Sequence, residues 1–249
     1  ETIAYDSNIY GLAKDPVPDW RFITAPTLKI ESQLPRHAFD MTVFGRFVNF
    51  AEHSDQDYVD FGGRARGAIH IDHAHTLSAS VLATRENEER SASTAAPTAA
   101  EPVPIDRFRG SIGITRDVGR LYGTLAATAE HLDYGSVPAL DGTTLDQDYR
   151  DQTLYSAQLR TGYRFSPGFD LVTRLRASRQ YSDGETPTSG NRNSTSYEAA
   201  AGLAFESDAL LRWRLLGGYG VRDYDRADLA TVNSALLEAQ VEWLATGRL

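Results

Sequence analysis

Twelve arginines carry most of the chemical potential of this sequence, because they alternate with apolar residues along extended segments. A guanidinium group binds a carboxylate or phosphate through two parallel hydrogen bonds, so such a set favours ion pairing or anion binding. The set comprises Arg46, Arg64, Arg66, Arg107, Arg109, Arg160, Arg164, Arg174, Arg176, Arg212, Arg214 and Arg222. Seven carboxylates lie on the same side of the alternation: Asp40, Asp60, Glu130, Asp170, Glu198, Glu238 and Glu242. Twelve arginines against seven carboxylates leave a predicted surplus of five positive charges. The pattern predicts cross-strand ion pairs that brace a wall, a positively biased channel, or both.

Other reactive side chains give weaker signals. His70, Asp72, His73 and His75 are close enough in sequence to suggest metal ligands, but a polar turn with a lumen-facing histidine is the favoured interpretation. The carboxylates of the segment 141–148 lack the Asp-x-Asp-x-Asp-Gly spacing of a calcium loop. We therefore predict no metal site and no cofactor.

A hydrolase would need a serine, a histidine and a carboxylate that converge on one point. His53 with Ser54, and His131 with Glu130, lie near the ends of extended segments, but no spacing ties one pair to the other. The sequence therefore predicts that the protein is not an enzyme.

Composition narrows the class of protein further. The chain has 249 residues, no cysteine and a net charge of −9, which excludes thiol chemistry and disulfides and argues against a nucleic-acid partner. The mean hydropathy is −0.40, and no run approaches the roughly 18 apolar residues of a spanning helix. Any membrane crossing must therefore use β-strands, in which only alternate residues meet lipid.

The segment Leu154–Tyr181 shows the repeating unit most clearly. Residues 155–165 alternate between an apolar set and a polar set, the turn Ser166-Pro167-Gly168 follows, and residues 169–180 alternate again. This pattern predicts a β-hairpin, and each arm exceeds the roughly 9–11 residues that cross a bilayer at a tilt. About twelve such strands recur along the chain, with short connections alternating with long ones.

The alternation predicts one all-β domain over residues 1–249, a transmembrane antiparallel up-and-down β-barrel with short periplasmic turns and long extracellular loops. Trp20–Glu31 is predicted as one strand, and Glu86–Pro104 as a mobile extracellular loop whose composition cannot form a packed core. Four Asp-Tyr pairs recur at the long-loop rim: Asp57-Tyr58, Asp133-Tyr134, Asp148-Tyr149 and Asp223-Tyr224. Their tyrosines fit an aromatic girdle at the membrane interface, and stacking against a sugar ligand is the more specific alternative.

The strand ends and turns resemble those of the putative outer-membrane β-barrel porin family common in alphaproteobacteria (the putative β-barrel porin 2 type). The resemblance rests on the segments 5–10, 35–38, 57–60, 165–168 and 223–225 and runs over the whole chain. The resemblance implies a location in the bacterial outer membrane, contact with membrane lipid and lipopolysaccharide, and no catalytic signature. It does not decide between a monomer, a homo-oligomer and a complex with an envelope-protein partner.

Two functions follow from the resemblance and the arginines together. The first is a porin-like channel for small polar or anionic solutes, and the alternative is a structural or exopolysaccharide-export-associated barrel whose lumen is plugged or gated by a partner. The chain ends Thr246-Gly247-Arg248-Leu249 without the terminal aromatic strand usual in such barrels, which predicts a further strand beyond it.

Overall fold

A computed structural model describes residues 1–32, 34–182, 192–207 and 211–243. Within these ranges the chain forms short 3-10 helices at Ser54–Gln56 and Asp148–Arg150 and otherwise only strands. The strands are β1 (Thr2–Asp6), β2 (Asp19–Thr24), β3 (Thr27–Glu31), β4 (His37–Phe50), β5 (Tyr58–His70), β6 (His75–Glu88), β7 (Val103–Asp117), β8 (Leu121–Tyr134), β9 (Val137–Pro138), β10 (Thr144–Leu145), β11 (Gln152–Ser166), β12 (Phe169–Ser182), β13 (Ser194–Ser207), β14 (Leu211–Tyr224) and β15 (Val232–Trp243). No helix in the described ranges is long and apolar enough to span a membrane.

Thirteen of these strands form a single antiparallel sheet in which spatial neighbours follow the order of the chain. The sheet begins at β1 and ends at β15, β3 pairs with β4 beside β2, and β9 and β10 make a separate two-stranded ribbon. Among the described residues β1 and β15 are not paired with each other. The prediction of an all-β, antiparallel, up-and-down wall of about twelve strands is confirmed.

The predicted strand Trp20–Glu31 is wrong in one respect, because it is broken into β2 and β3. The break falls at Ala25 and Pro26, and proline has no backbone N–H to donate to a ladder. Both halves nevertheless pair with β4, so the chain resumes its course after the interruption. The carbonyl of Pro26 accepts a hydrogen bond from the N–H of Gly45 at 3.0 Å, which keeps the interruption attached to the sheet.

One face of the sheet is apolar and has no protein layer over it. Leu125, Leu159 and Leu175 lie side by side in register on β8, β11 and β12, and they are 54%, 37% and 49% exposed. Similar exposed aliphatic and aromatic side chains continue across the strands from β1 to β15. Soluble monomers rarely expose a continuous apolar surface of this extent, so the face needs a non-aqueous covering.

Aromatic rings flank this aliphatic band near both ends of the strands. Near the short turns, Phe165, Phe169, Phe205 and Trp213 form a chain with centroid separations of 6.2, 4.5 and 5.7 Å. Near the long connections, the ring pairs are Tyr5–Trp20 at 5.1 Å and Tyr155–Tyr181 at 6.2 Å. Two aromatic bands around an aliphatic one are typical of a wall that crosses both interfaces of a membrane.

The girdle prediction for the Asp-Tyr pairs is wrong at three of the four positions, and at one of them Tyr224 shares the polar-face parity of Arg222. Tyr58 is 7% exposed and lies on the polar face, and Tyr134 packs against a buried cluster under the long connections. Alternation requires this outcome, because Tyr58 shares the parity of Asp60 and opposes that of the exposed Val59 and Phe61. The outward tyrosines of the long-connection rim include instead Tyr5, Tyr155, Tyr181 and Tyr197.

The connections after β6 and β8 pack against each other, and we call residues 89–102 and 135–151 together the cap. Ala99 and Val103 are each 1% exposed and pack with Val137 of β9, and Ala99 forms a β-bridge with Ala139. The expectation that Glu86–Pro104 cannot pack is therefore wrong. Its small apolar residues find their partners in another long connection, and β6 and β7 extend into both ends of the segment.

Three sequence predictions fall wholly or partly outside the described residues. They are the turn Ser207-Asp208, most of the connection Ser182–Thr195, and the chain end Thr246–Leu249.

Candidate functional site

The polar face of the sheet is concave, because side chains from strands that are not neighbours meet on it. The hydroxyl of Tyr122 on β8 donates to Asp170 on β12 at 2.5 Å across β11, and Arg174 on β12 forms an ion pair with Glu238 on β15 across two strands. Adjacent strands lie about 4.8 Å apart, so contacts of this kind require the sheet to curve toward this face. The twelve predicted arginines share the parity of this concave face.

At the cap end, a cluster of five side chains joins the wall to the cap. Arg46 donates to Asp60 at 3.1 Å and to the hydroxyl of Tyr58 at 2.8 Å, and that hydroxyl donates to Glu89 at 2.5 Å. Glu89 also accepts from Arg21 at 3.0 Å, so one carboxylate of the cap connects β2, β4 and β5. Charge-assisted hydrogen bonds of this kind are about twice as strong as neutral ones.

A second pair attaches the 135–151 half of the cap to the end of β6. Arg150 donates to both oxygens of Glu88 at 2.8 and 2.9 Å, and the Glu88 side chain is only 7% exposed. The guanidinium of Arg150 lies 4.1 Å from the ring centre of Tyr134, which adds a cation–π contact. Sequence reasoning missed the pairs Arg21–Glu89 and Glu88–Arg150, because the two members of each pair are 68 and 62 residues apart and no local pattern links them.

At the short-turn end, further ion pairs surround a cavity of about 440 Å³ whose lining includes Arg160, Arg174 and Glu238. Arg212 lies 2.9 Å from Glu206 on β13 in the lining of this cavity, and outside the lining Arg164 lies 2.6 Å from Asp117 on β7. The first contact links the neighbouring strands β13 and β14, and the second links β7 and β11 across β8, which agrees with the wall-bracing interpretation.

Two glycines allow β13 and β14 to approach closely beneath this cavity. A Cβ atom on Gly202 would lie 1.8 Å from the carbonyl oxygen of Leu215, and one on Gly218 would lie 2.2 Å from that of Ala199. No side chain fits such distances, so these positions accept only glycine without movement of the backbone. Arg174 and Glu238 form their ion pair across the same two strands.

Several arginines of the concave face make no ion pair with any residue that the structure describes. Arg222 is in this group, although its Nε donates to Ser196 Oγ at 3.1 Å. The other members are Arg64, Arg109, Arg160 and Arg176, of which all but the half-buried Arg176 are exposed. Guanidinium groups without a carboxylate partner keep their hydrogen-bond donors available to water or to a solute.

The predicted surplus of five positive charges does not survive the observed strand boundaries. Arg21 and Lys29 join the cations of the concave face, but so do seven carboxylates that the sequence count omitted. These are Asp6, Asp19, Glu31, Glu86, Glu88, Asp117 and Glu206. The excess is cancelled, and any anion preference must come from where the unpaired arginines lie.

The candidate hydrolase residues are not brought together. His53 Nδ1 lies 2.8 Å from Asp19, a buried carboxylate that also accepts from the backbone N–H groups of Glu52 and His53 and so anchors the 51–57 connection. His131 has the parity of the outward face, where its Nδ1 lies 2.9 Å from Thr153 Oγ1. The two histidines therefore face different environments.

The histidine-rich turn between β5 and β6 is organised by Asp72. Its carboxylate accepts from the N–H of Ala74 at 2.7 Å and of His75 at 2.8 Å, and these bonds together with the His75 ring lower the pKa of Asp72 to about 2. His70 turns instead toward Thr76, at 2.9 Å. Among the described residues no group of three or more His, Asp or Glu side chains is placed to hold a metal ion.

Comparison with known proteins assigns the sequence to a family. No curated protein matches the sequence. Among solved structures, the chain is similar to one titled "NanC porin structure in rhombohedral crystal form", with 11% identity over 98% of this chain and 97% of that chain and a TM-score of 0.45. The family model described as "Putative beta-barrel porin 2" matches residues 1–249. The chain therefore belongs to this β-barrel porin family, whose place is the outer membrane.

Proposed function

We propose that this outer-membrane porin conducts small polar solutes and prefers anions. The observation that carries the proposal is the group of unpaired arginines on the concave face, with Arg109, Arg160 and Arg176 on three different strands of the central wall. A ring of guanidinium groups favours the entry of carboxylates and phosphates into a water-filled pore.

The expected preference is modest. Carboxylates balance the arginines of the concave face as a whole, and charges in water are screened over about 8 Å at physiological salt. The unpaired arginines act on an ion only when it passes close to the wall, so their effect should grow as salt is lowered.

We also propose how the barrel sits in its membrane. The exposed apolar band would be covered by outer-membrane lipid, with the long connections and the cap directed outward toward lipopolysaccharide and the short turns toward the periplasm. The ordinary asymmetry between short turns and long loops in outer-membrane barrels supports this orientation.

Planar-bilayer recordings test the anion preference. A salt gradient across the wild-type protein should give a reversal potential of anionic sign, and the triple variant Arg109→Gln, Arg160→Gln, Arg176→Gln should reduce it by half or more. Arg116→Gln is the matched control, because Arg116 has outward parity and its guanidinium donates to the backbone carbonyl of Leu121. Cation preference in the wild-type protein would refute the proposal.

A second candidate function is a barrel that the cap keeps closed until a partner binds, as the plugged alternative requires. The packed core of the cap and the buried Glu88–Arg150 pair favour it. The same recordings separate the two candidates. If the cap closes the barrel, the wild-type protein should show no conductance and the variant Glu88→Gln should conduct. Steady conductance of the wild-type protein would exclude this second candidate.

A further inference from the structure

Six consecutive strands of the sheet carry a hydroxyl side chain at the same register position on the concave face. Starting from β6, each residue is the direct cross-strand partner of the next. We call this set the hydroxyl row: Ser80, Ser111, Thr128, Ser156, Ser178 and Ser196.

The hydroxyl row runs obliquely from one mouth of the wall toward the other and ends in an arginine at each side. Ser80 pairs in register with Arg66, which lies close to the short-turn end of β5. Ser196 pairs with Arg222, which lies close to the long-loop end of β14. Because register partners lie along a line perpendicular to tilted strands, the row climbs the wall as it crosses it.

The hydroxyls in the middle of the row are free. Ser80 and Ser111 are hydrogen-bonded to each other at 2.7 Å, and Ser196 accepts from Arg222. The side chains of Thr128, Ser156 and Ser178 make no hydrogen bond to any residue in the described part of the chain, and all three are half-buried. Each hydroxyl offers one donor and two acceptor sites.

Unpaired cations border the row on both sides. Arg109 is the next concave-face residue after Ser111 along β7, and Arg176 is the next after Ser178 along β12. Arg109 faces Glu130 across the strands, but Glu130 lies 3.6 Å from Arg107 instead. Arg176 faces Glu198, and the two side chains form no ion pair. The two guanidinium groups therefore remain available beside the free hydroxyls.

We propose that the hydroxyl row, with Arg109 and Arg176, forms a binding track for polyhydroxylated carboxylates, the chemical class of sugar acids. This inference rests on the proposed anion-conducting function and names its solute class. The row exchanges hydrogen bonds with the hydroxyls of the solute, and each arginine can donate two parallel hydrogen bonds to its carboxylate. Neighbouring hydroxyls recur at the strand spacing of about 4.8 Å, which is comparable with the width of one sugar ring.

Block of the chloride current by added solutes tests the track. Glucuronate should block the wild-type channel at a lower concentration than hexanoate, which has a carboxylate but no hydroxyls, and than glucose, which has hydroxyls but no charge. The triple variant Thr128→Val, Ser156→Ala, Ser178→Ala should raise the half-blocking concentration of glucuronate about tenfold, the effect of losing roughly 1.4 kcal/mol of hydrogen bonding. Its chloride conductance and its response to hexanoate should not change.

The matched control is the double variant Thr161→Val, Thr173→Val, which removes two hydroxyls that bond each other on the opposite parity of β11 and β12. It should leave glucuronate block unchanged. The track would be overturned if glucuronate and hexanoate blocked at the same concentration, or if the triple variant had the half-blocking concentration of the wild type for glucuronate. Block by inorganic phosphate at the same concentration as glucuronate would also overturn it, because it would assign binding to the arginines alone. Calorimetric titration of detergent-solubilised protein with glucuronate gives the same comparison if the channel is silent, so a failure of conduction remains distinguishable from a failure of the track.

Discussion

Replacing Leu125 by arginine is expected to destabilise the folded barrel by about 2–4 kcal/mol, the cost of placing that charge on a lipid-facing wall at mid-membrane. Leu125 is 54% exposed on the apolar face, and its register partner Leu159 lies midway between Tyr155 and Tyr163 on β11. The effect is measured from reversible urea unfolding in lipid vesicles, followed by tryptophan fluorescence.

Ala126→Arg is the control for this prediction. Ala126 is the next residue on β8 and lies on the concave face, between Gly113 and Gln158 in register. A guanidinium there can extend into water beside small or uncharged partners, so the change should cost well under 1 kcal/mol. Equal losses at both positions would mean that the two faces do not differ in their surroundings.

Gly202→Ala is the second change with a large expected effect. The added methyl would lie 1.8 Å from the carbonyl oxygen of Leu215, so β13 and β14 must separate to accept it. Overpacking of this kind lowers the free energy of unfolding by about 1–3 kcal/mol and occasionally more. A loss at the upper end of this range could prevent the barrel from folding. The variant should also weaken the contact between Arg174 and Glu238, because that contact spans the same two strands.

Gly217→Ala distinguishes the close approach from a general effect of glycine replacement. Nothing lies within 4 Å of a Cβ built at Gly217, which is exposed on the neighbouring strand. Alanine there should be neutral or slightly stabilising, since it reduces the freedom of the unfolded chain. A loss of stability at Gly217 similar to that at Gly202 would contradict the proposed role of strand approach.

Period-two alternation was sufficient to predict the strands and their two faces. It places Leu159 outward and Arg160 inward without any tertiary information, because side chains of a strand alternate by geometry alone. The same rule predicts the inward position of Tyr58, but the girdle interpretation followed residue type instead of parity. The break at Pro26 is also foreseeable from the missing backbone donor.

Contacts between distant segments could not be predicted from the sequence. The cap depends on Ala99 meeting Ala139 and on Glu88 meeting Arg150, and loop composition alone suggests neither contact. The charge balance failed for a related reason, since Asp6, Asp117 and Glu206 lie at strand ends whose limits the alternation leaves uncertain. The hydroxyl row needs the register of five strand pairs, which no single strand encodes.

Single-cysteine labelling along β11 tests the central claim of a membrane barrel with a watery concave face most directly. The chain contains no cysteine, so each substituted residue from Tyr155 to Arg160 reports alone. In lipid vesicles a water-soluble maleimide should react at positions 156, 158 and 160 and leave positions 155, 157 and 159 unmodified. Uniform labelling of all six positions, or labelling of the odd positions alone, would contradict the account.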